Sequence, residues 1–312
     1  MRDSSIMIRM IPSQALAALL FSLIALAQPA NPGKDWERRK PEEVDYSSKR
    51  LDALNGYLAT IDTTARMAVH KGKVIFEYGD VTRQGMLTSV QKSLLAILYG
   101  KYVANGKINL ETTLEELGID DVEGLLPVEK RAKVRHLITM QSGVFHKNSY
   151  PAGGDSVSQA PPRGTQQPGS YFLYNNWGFN VAGYVFEKQT GLDVFDVLQK
   201  DIAEPIGMQD FDRALQKKGT GDKTLSKYAT HLPWLTTRDM ARVGQLMLQN
   251  GKWDDKQVVP ADWIKTITSL VTPVDQLNPP SERYYSDGRL WGYGYMWWVR
   301  DDHNSSGPFQ GA

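Results

Sequence analysis

Two strand signals stand at opposite ends of a long block that reads as helix, and this order excludes most ways of folding the chain. The first is a hairpin, in which Met67–His70 and Lys73–Tyr78 flank Lys71-Gly72, a pair suited to a tight turn. The second is Trp291–Val299, aromatic and alternating, which reads as one strand. Ahead of the hairpin, Leu51, Leu54, Leu58 and Ile61 mark an amphipathic helix from Ser47 to about Ile61. Between the strand signals, Leu94, Leu95, Leu98 and Tyr102 recur at helical spacing, with Thr88 as a cap and Asn105-Gly106 as a stop. Short helical pieces fill 111–140, and Trp177–Thr190 and Val194–Ile202 read as helices parted by Gly191. Thr236–Gln249 follows, capped by Thr236 or Thr237 and stopped by Asn250-Gly251, and Pro260 opens another helix at its first position. Residues 148–170, dense in Pro, Gly, Ser and Gln, read as a long surface loop. Strands that must pair across a helical block predict an α+β fold: an antiparallel sheet flanked by helices, with an inserted, mostly helical subdomain. The helical subdomain is expected over about 86–250, and the α/β part over 47–85 and about 251–312.

Composition narrows the chemistry. With no cysteine, a thiol nucleophile, a disulfide framework, thiolate metal sites and a lipid-modified N-terminal cysteine are excluded. The five histidines form no His-Glu-x-x-His pair, so no metal site is expected. A net charge of +1 without a basic stripe argues against a nucleic-acid partner. No cofactor motif occurs. At the N-terminus, Arg2 and Arg9 precede an apolar run from Ala15 to Ala27, and Ala25-Leu26-Ala27 supplies a cleavage site. Residues 1–27 are therefore expected to be a signal peptide of a periplasmic or secreted protein, since the run is short for a membrane span. Residues 28–46, rich in proline and charge, read as a loose lead-in.

Ser89-Val90-Gln91-Lys92 opens the first helix of the block, and Tyr174-Asn175-Asn176 follows 85 residues after the serine (174 − 89). Ser89 and Lys92, at i and i+3, share one face of the first turn. The positive end of the helix dipole lies there. It disfavours a charged lysine and so favours one that takes a proton from a serine hydroxyl. The plain alternatives are a capping serine, an exposed helix lysine, a core tyrosine with a bonded hydroxyl, and a capping Asn176. His136 lies in an apolar block and reads as structural, whereas His146 and His231 have no partner arguable from sequence.

As a set, these residues resemble the serine β-lactamases and penicillin-binding D-alanyl carboxypeptidases, in the class C branch with its esterase-like relatives. Ser89-Val90-Gln91-Lys92 is similar to the first motif of that family and Tyr174-Asn175-Asn176 to its Tyr-x-Asn motif. Arg135-His136-Leu137-Ile138-Thr139-Met140-Gln141-Ser142-Gly143 resembles the RHLLTHTSG block, and Pro168-Gly169-Ser170 the lead-in to the tyrosine. The likeness runs from about residue 47 to 312. It implies an exported serine hydrolase acting through an acyl-enzyme on an amide, ester or β-lactam in a small-molecule or peptide-like substrate. Ser89 would be the nucleophile, Lys92 and Tyr174 would move protons, and Asn176 would hold the substrate amide. The Ser89 N–H would give half of an oxyanion hole. Tyr293, Tyr295 and Trp297 would share a strand face, lining an acyl pocket or packing in the core.

The third motif of the family, Lys/His-x-Gly or a Gly-rich variant on a strand, has no match after Trp298. Lys217-Lys218-Gly219 fits the pattern but sits in a polar stretch that reads as a solvated loop. By the resemblance, the sequence stops before the last two strands and the closing helix. Trp291–Val299 is then an exposed edge, and the rival expectation is a catalytically impaired fragment or a non-hydrolytic ligand-binding relative.

Overall fold

A computed structural model of the chain describes residues 31–150, 156–281, 284 and 290–301. The expected signal peptide lies outside the described residues. The architecture is mixed helix and strand. Helix α1 (Ser48–Leu58) is capped by the Ser47 side chain, which accepts from the Arg50 N–H, and ends three residues short of Ile61. Strands β1 (Ala65–His70) and β2 (Lys73–Gly79) pair antiparallel around Lys71-Gly72, as the sequence predicts. The chain then passes through β3 (Gly85–Met86) into α2 (Val90–Ala104).

Eight of the positions from Leu94 to Tyr102 are buried, namely Leu94, Leu95, Ala96, Ile97, Leu98, Tyr99, Gly100 and Tyr102. A helix apolar all round must run through the core rather than lie on it. Two polar tips pin it there: the Tyr99 hydroxyl donates to the Ala182 carbonyl at 2.7 Å, and the Trp263 indole donates to the Ala96 carbonyl at 2.8 Å.

Short helices α3 (Pro127–Lys130) and α4 (Val134–Ile138) lead to α5 (Asn176–Thr190). Gly191 ends α5 at φ 73°, a left-handed conformation that costs glycine nothing. The segment read as one helix from Val194 is α6 (Val194–Val197), continued by a π-turn over Leu198–Ala203. Between α4 and α5, the expected surface loop is partly internal, since Ser149 and Ser156 are buried.

Strands β4 (Lys217–Gly219) and β5 (Thr230–Leu232) pair antiparallel, and β6 (Trp234–Leu235) pairs with β3. Helix α7 (Thr237–Leu248) is capped by Thr236, whose side chain accepts from the Asp239 N–H. The β7 (Lys252–Trp253) and β8 (Lys256–Gln257) pair leads to α8 (Ala261–Ile267), where Pro260 is the N-cap rather than the first helical residue. Instead of one strand at 291–299, the structure has a hairpin, β9 (Trp291–Tyr293) with β10 (Trp298–Arg300). Gly294 donates to the Trp297 carbonyl across the turn, so Tyr295 and Trp297 leave the strand face they were expected to share with Tyr293. Nor is β9 an unpaired edge, because Tyr293 also exchanges backbone hydrogen bonds with Thr272 on its other side. The strand pairs among the described residues are all antiparallel, but they form five two-stranded pieces rather than one continuous sheet.

The lead-in is not loose where it is described. Arg242 of α7, 1% exposed, donates to the carbonyls of Ile206, Gly33 and Lys34. Its guanidinium lies 5.5 Å from the Trp36 ring and 6.0 Å from that of Trp253. A buried arginine needs acceptors and aromatic faces, and the lead-in backbone supplies two of these three acceptors. Arg39 and Val74 extend the attachment onto β2, where Val74 donates to the Glu37 carbonyl and Arg39 to that of Val74. Among the described residues, no helix is long and apolar enough to cross a membrane.

Candidate active site

Ser89 is the N-cap of α2, with φ −68° and ψ −18°, and no side-chain cap bond forms there. Thr88 contributes its carbonyl, which accepts from the Gln91 N–H at 3.3 Å. The Ser89 hydroxyl therefore does not serve the cap, and the residue is exposed. One turn on, Lys92 is 6% exposed. Its ammonium donates to Ser89 Oγ at 3.1 Å and to the Tyr174 hydroxyl at 2.7 Å. Sequence positions 82 apart thus meet at one nitrogen, with Lys92 between the other two. Aromatic faces wall this nitrogen, which lies 4.7 Å from the Tyr174 ring and 4.5 Å from the Phe179 ring.

Tyr174 precedes α5 and is held from three sides. Trp298 of β10 stacks on it at 5.9 Å and 18°, Tyr293 of β9 meets it edge-on at 6.2 Å, and Phe179 lies at 4.9 Å. The neighbouring Leu173 N–H donates to the Met140 carbonyl, which ties the tyrosine to the 135–143 block. Burial pushes the Tyr293 hydroxyl well above its usual value, and Tyr174 adds to the effect, so Tyr293 stays protonated beside the network. The hairpin is anchored to α2 as well, because Ser93 Oγ donates to the Met296 carbonyl at 2.9 Å.

Asn175, not Asn176, caps α5. Its Oδ1 accepts from the Gly178 N–H at 2.8 Å and its Nδ2 donates to the Val144 carbonyl at 2.7 Å. Asn176 is 4% exposed, and its Nδ2 makes no hydrogen bond among the described residues. A buried amide donor without an acceptor costs about 1–3 kcal/mol, so the position suits a ligand group that accepts a hydrogen bond from it. Behind it, Trp177 is fixed by Asp121, whose carboxylate accepts from the Trp177 indole at 2.7 Å, Ser226 Oγ at 2.5 Å and the Lys227 N–H at 2.9 Å.

The histidines divide as follows. His136 accepts from the Lys133 N–H, and burial with the nearby Lys133 and Arg135 charges holds it below its usual value. His146 and His231, without partners in the sequence reading, have them in the fold: His146 sets its ring nitrogens against the Lys147 and Val122 carbonyls, and His231 Nε2 lies 3.5 Å from Glu187 Oε1. Lys217-Lys218-Gly219 is a strand, not a solvated loop. The Lys218 ammonium pairs with Glu187 at 2.6 Å and Asp193 at 2.9 Å. Its ammonium is thus engaged by carboxylates of α5 and the α5–α6 link, Glu187 lying eleven residues along α5 from Asn176, about 16 Å at 1.5 Å per residue. Sequence reasoning missed Trp298 and Phe179 as walls and Asp121 as the anchor. Period-two and period-3.6 patterns carry no signal for contacts this far apart in sequence.

Against known proteins, the chain matches the beta-lactamase family model over residues 56–312. It is 28% identical over 162 residues to a monacolin J acid methylbutanoyltransferase of Aspergillus terreus, a match covering 42% of this chain and 38% of that protein. To a 6-aminohexanoate-dimer hydrolase of Paenarthrobacter ureafaciens it is 24% identical over 273 residues, covering 78% of this chain and 65% of the hydrolase. The chain thus spans less than two thirds of the length of either relative. Among solved structures, an octameric penicillin-binding protein homologue from Pyrococcus abyssi superposes with a TM-score of 0.57 at 18% identity, covering 80% of this chain and 64% of that one. At that identity the likeness concerns the fold alone.

Proposed function

We propose that this chain, which belongs to the beta-lactamase family, transfers acyl groups through Ser89, with an amide or ester as donor and water as the usual acceptor. The observation that carries the reading is the chain of contacts Ser89 Oγ, Lys92 Nζ and Tyr174 hydroxyl at 3.1 and 2.7 Å. In the neutral amine form, Lys92 takes the Ser89 proton as Oγ attacks the acyl carbonyl. The proton passes by way of Tyr174 to the leaving nitrogen or oxygen, and the acyl group stays on Oγ. Water then attacks the ester, gives its proton to the same pair, and Ser89 is restored. The backbone N–H of Ser89 faces the developing oxyanion at the helix N-terminus, and Asn176 Nδ2 donates to the substrate carbonyl. The amide-hydrolase relative, matched over 78% of this chain, supports an amide donor.

A second acceptor is favoured by one observation. Ser89 is exposed, which leaves room for an alcohol at the acyl-enzyme, and one relative is named for the transfer of a methylbutanoyl group. A fluorophosphonate probe followed by peptide mapping tests the nucleophile, and the adduct is expected on Ser89. An adduct on another serine, retained in Ser89→Ala, overturns the assignment. Turnover of a reporter ester with and without an added alcohol then divides hydrolysis from transfer, and labelling without turnover favours a ligand-binding relative.

A further inference from the structure

Two cavities meet at His231. The inner one, about 30 Å³, is lined by Lys92 and Leu95 of α2, Phe179 and Asn180 of α5, Phe195 of α6, and His231 of β5. The outer one, about 440 Å³, is lined by Tyr184 and Glu187 of α5, Lys218, Tyr228 and the same His231. Asn180 is 4% exposed, and its Oδ1 accepts from Thr230 Oγ1 at 3.0 Å. That bond fixes the amide plane and turns Nδ2 the other way, where it makes no hydrogen bond among the described residues. Burying such a donor unpaired costs about 1–3 kcal/mol. A water needs roughly 10–15 Å³ and polar partners, and the inner cavity has the room, with Lys92, Asn180 and His231 as polar groups in an otherwise mostly apolar lining.

His231 is built as a partition. Its ring lies 5.7 Å from the Phe195 ring and packs on Gly183, where a Cβ would come within 2.3 Å of it. Its Nε2 faces Glu187 at 3.5 Å. Lys218 and Asp193 stand behind Glu187, and Arg213 pairs with Asp193 in turn. Facing Lys92 on its other sides are Ser89, Tyr174 and the Phe179 ring, with Tyr293 behind Tyr174.

Resting on the reading of Ser89 and Lys92 as nucleophile and base, we propose that the inner cavity is a water site held by Asn180, and that His231 closes it from the outer cavity. Asn180 and His231 are then positioning residues that set how readily Lys92 accepts the serine proton. A water in a cavity that Lys92 lines lowers the desolvation of its ammonium and favours the charged form. Drying the site favours the neutral base, and flooding it does the opposite.

The test is the pH dependence of Ser89 acylation by a fluorophosphonate or reporter ester. In Asn180→Leu, which fills the cavity with an apolar group, the acid limb is expected to move to lower pH by about 0.5 unit or more. In His231→Ala, which joins the two cavities, it is expected to move to higher pH. Thr230→Val removes the same side-chain bond without drying the site and is expected to leave the limb in place. Opposite shifts from two neighbouring substitutions would not arise from a general loss of packing. Parallel shifts, or none, in folded variants whose Ser89 still labels overturn the proposal and leave the reading of Ser89 standing. If the wild type does not label at Ser89, that reading fails instead. A high-resolution crystal structure decides the water independently, since density within hydrogen-bond distance of Asn180 Nδ2 is expected and its lack overturns the site even if a variant fails to fold.

Discussion

Replacing Asp121 by Asn changes one atom type, and the cost follows from which donors face each oxygen. Oδ2 accepts from the Trp177 indole at 2.7 Å and Ser226 Oγ at 2.5 Å, and Oδ1 accepts from the backbone N–H of Lys227 at 2.9 Å and of Val122 at 2.8 Å. An amide nitrogen at the Oδ1 position would meet two backbone donors. At the Oδ2 position it meets a hydroxyl, which rotates to accept, and an indole N–H, which cannot. The second placement is cheaper and strands one buried donor, for about 1–3 kcal/mol. The two bonds left at Oδ1 also lose their charge assistance, about 1 kcal/mol each. The total is about 3–5 kcal/mol, roughly a fifth or more of the stability of an ordinary domain. At about 2–4 °C per kcal/mol the melting temperature falls by roughly 6–20 °C. Because Trp177 follows Asn176, Ser89 labelling should slow as well. The assay is calorimetric melting of the wild type, Asp121→Asn and Ser226→Ala, the last of which removes one bond to the carboxylate and the acceptor of the Tyr228 N–H and should cost about 1.5–3 kcal/mol, less than Asp121→Asn. An Asp121→Asn protein that melts within about a degree of the wild type, or a Ser226→Ala protein that loses as much, would refute the reasoning.

The remaining predictions concern the site and its supports. Tyr174→Phe keeps the stack on Trp298 but removes the hydroxyl 2.7 Å from Lys92. Turnover should fall about 10²–10⁴-fold with the melting temperature little changed, and near-normal steady-state rates would remove Tyr174 from proton transfer. Arg242→Met should release the lead-in, read as faster proteolytic cutting near residues 33–39, and unchanged cutting would show that Arg242 does not hold it. Burial opposes the charge on Glu187, but its bonds from His231, Lys218 and the Val194 N–H outweigh this and hold the carboxyl below the usual value of 4.5. A depressed carboxyl stabilises the fold above its unfolded value and loses that contribution as pH falls through the folded one. Wild-type stability should therefore decline below about pH 4.5 more steeply than that of Glu187→Gln, and equal slopes in acid melts would contradict the assignment.

Local pattern alone determined most of the helices, the first hairpin and the pairing of Ser89 with Lys92. Each depends on residues within a turn or two of one another, where spacing and stop signals act directly. The identity of α2 as a core helix was half legible: the 3.6-residue period was visible, but only the Trp263 indole on Ala96 and the Tyr99 hydroxyl on Ala182 make it central. Tertiary structure decided what depends on distant contacts. It set Lys92 between Ser89 and Tyr174, stacked Trp298 on Tyr174, gave the α5 cap to Asn175 and left Asn176 Nδ2 for another partner. It turned one apparent strand into the β9–β10 hairpin, because alternation cannot reveal a turn whose bond runs from Gly294 to Trp297. It also fastened the charged lead-in, whose composition reads as loose, through a buried Arg242 that takes two acceptors from that very backbone. Periodicity records which face of an element is apolar, but which elements then share a nitrogen, a carboxylate or a cavity is settled only when they pack.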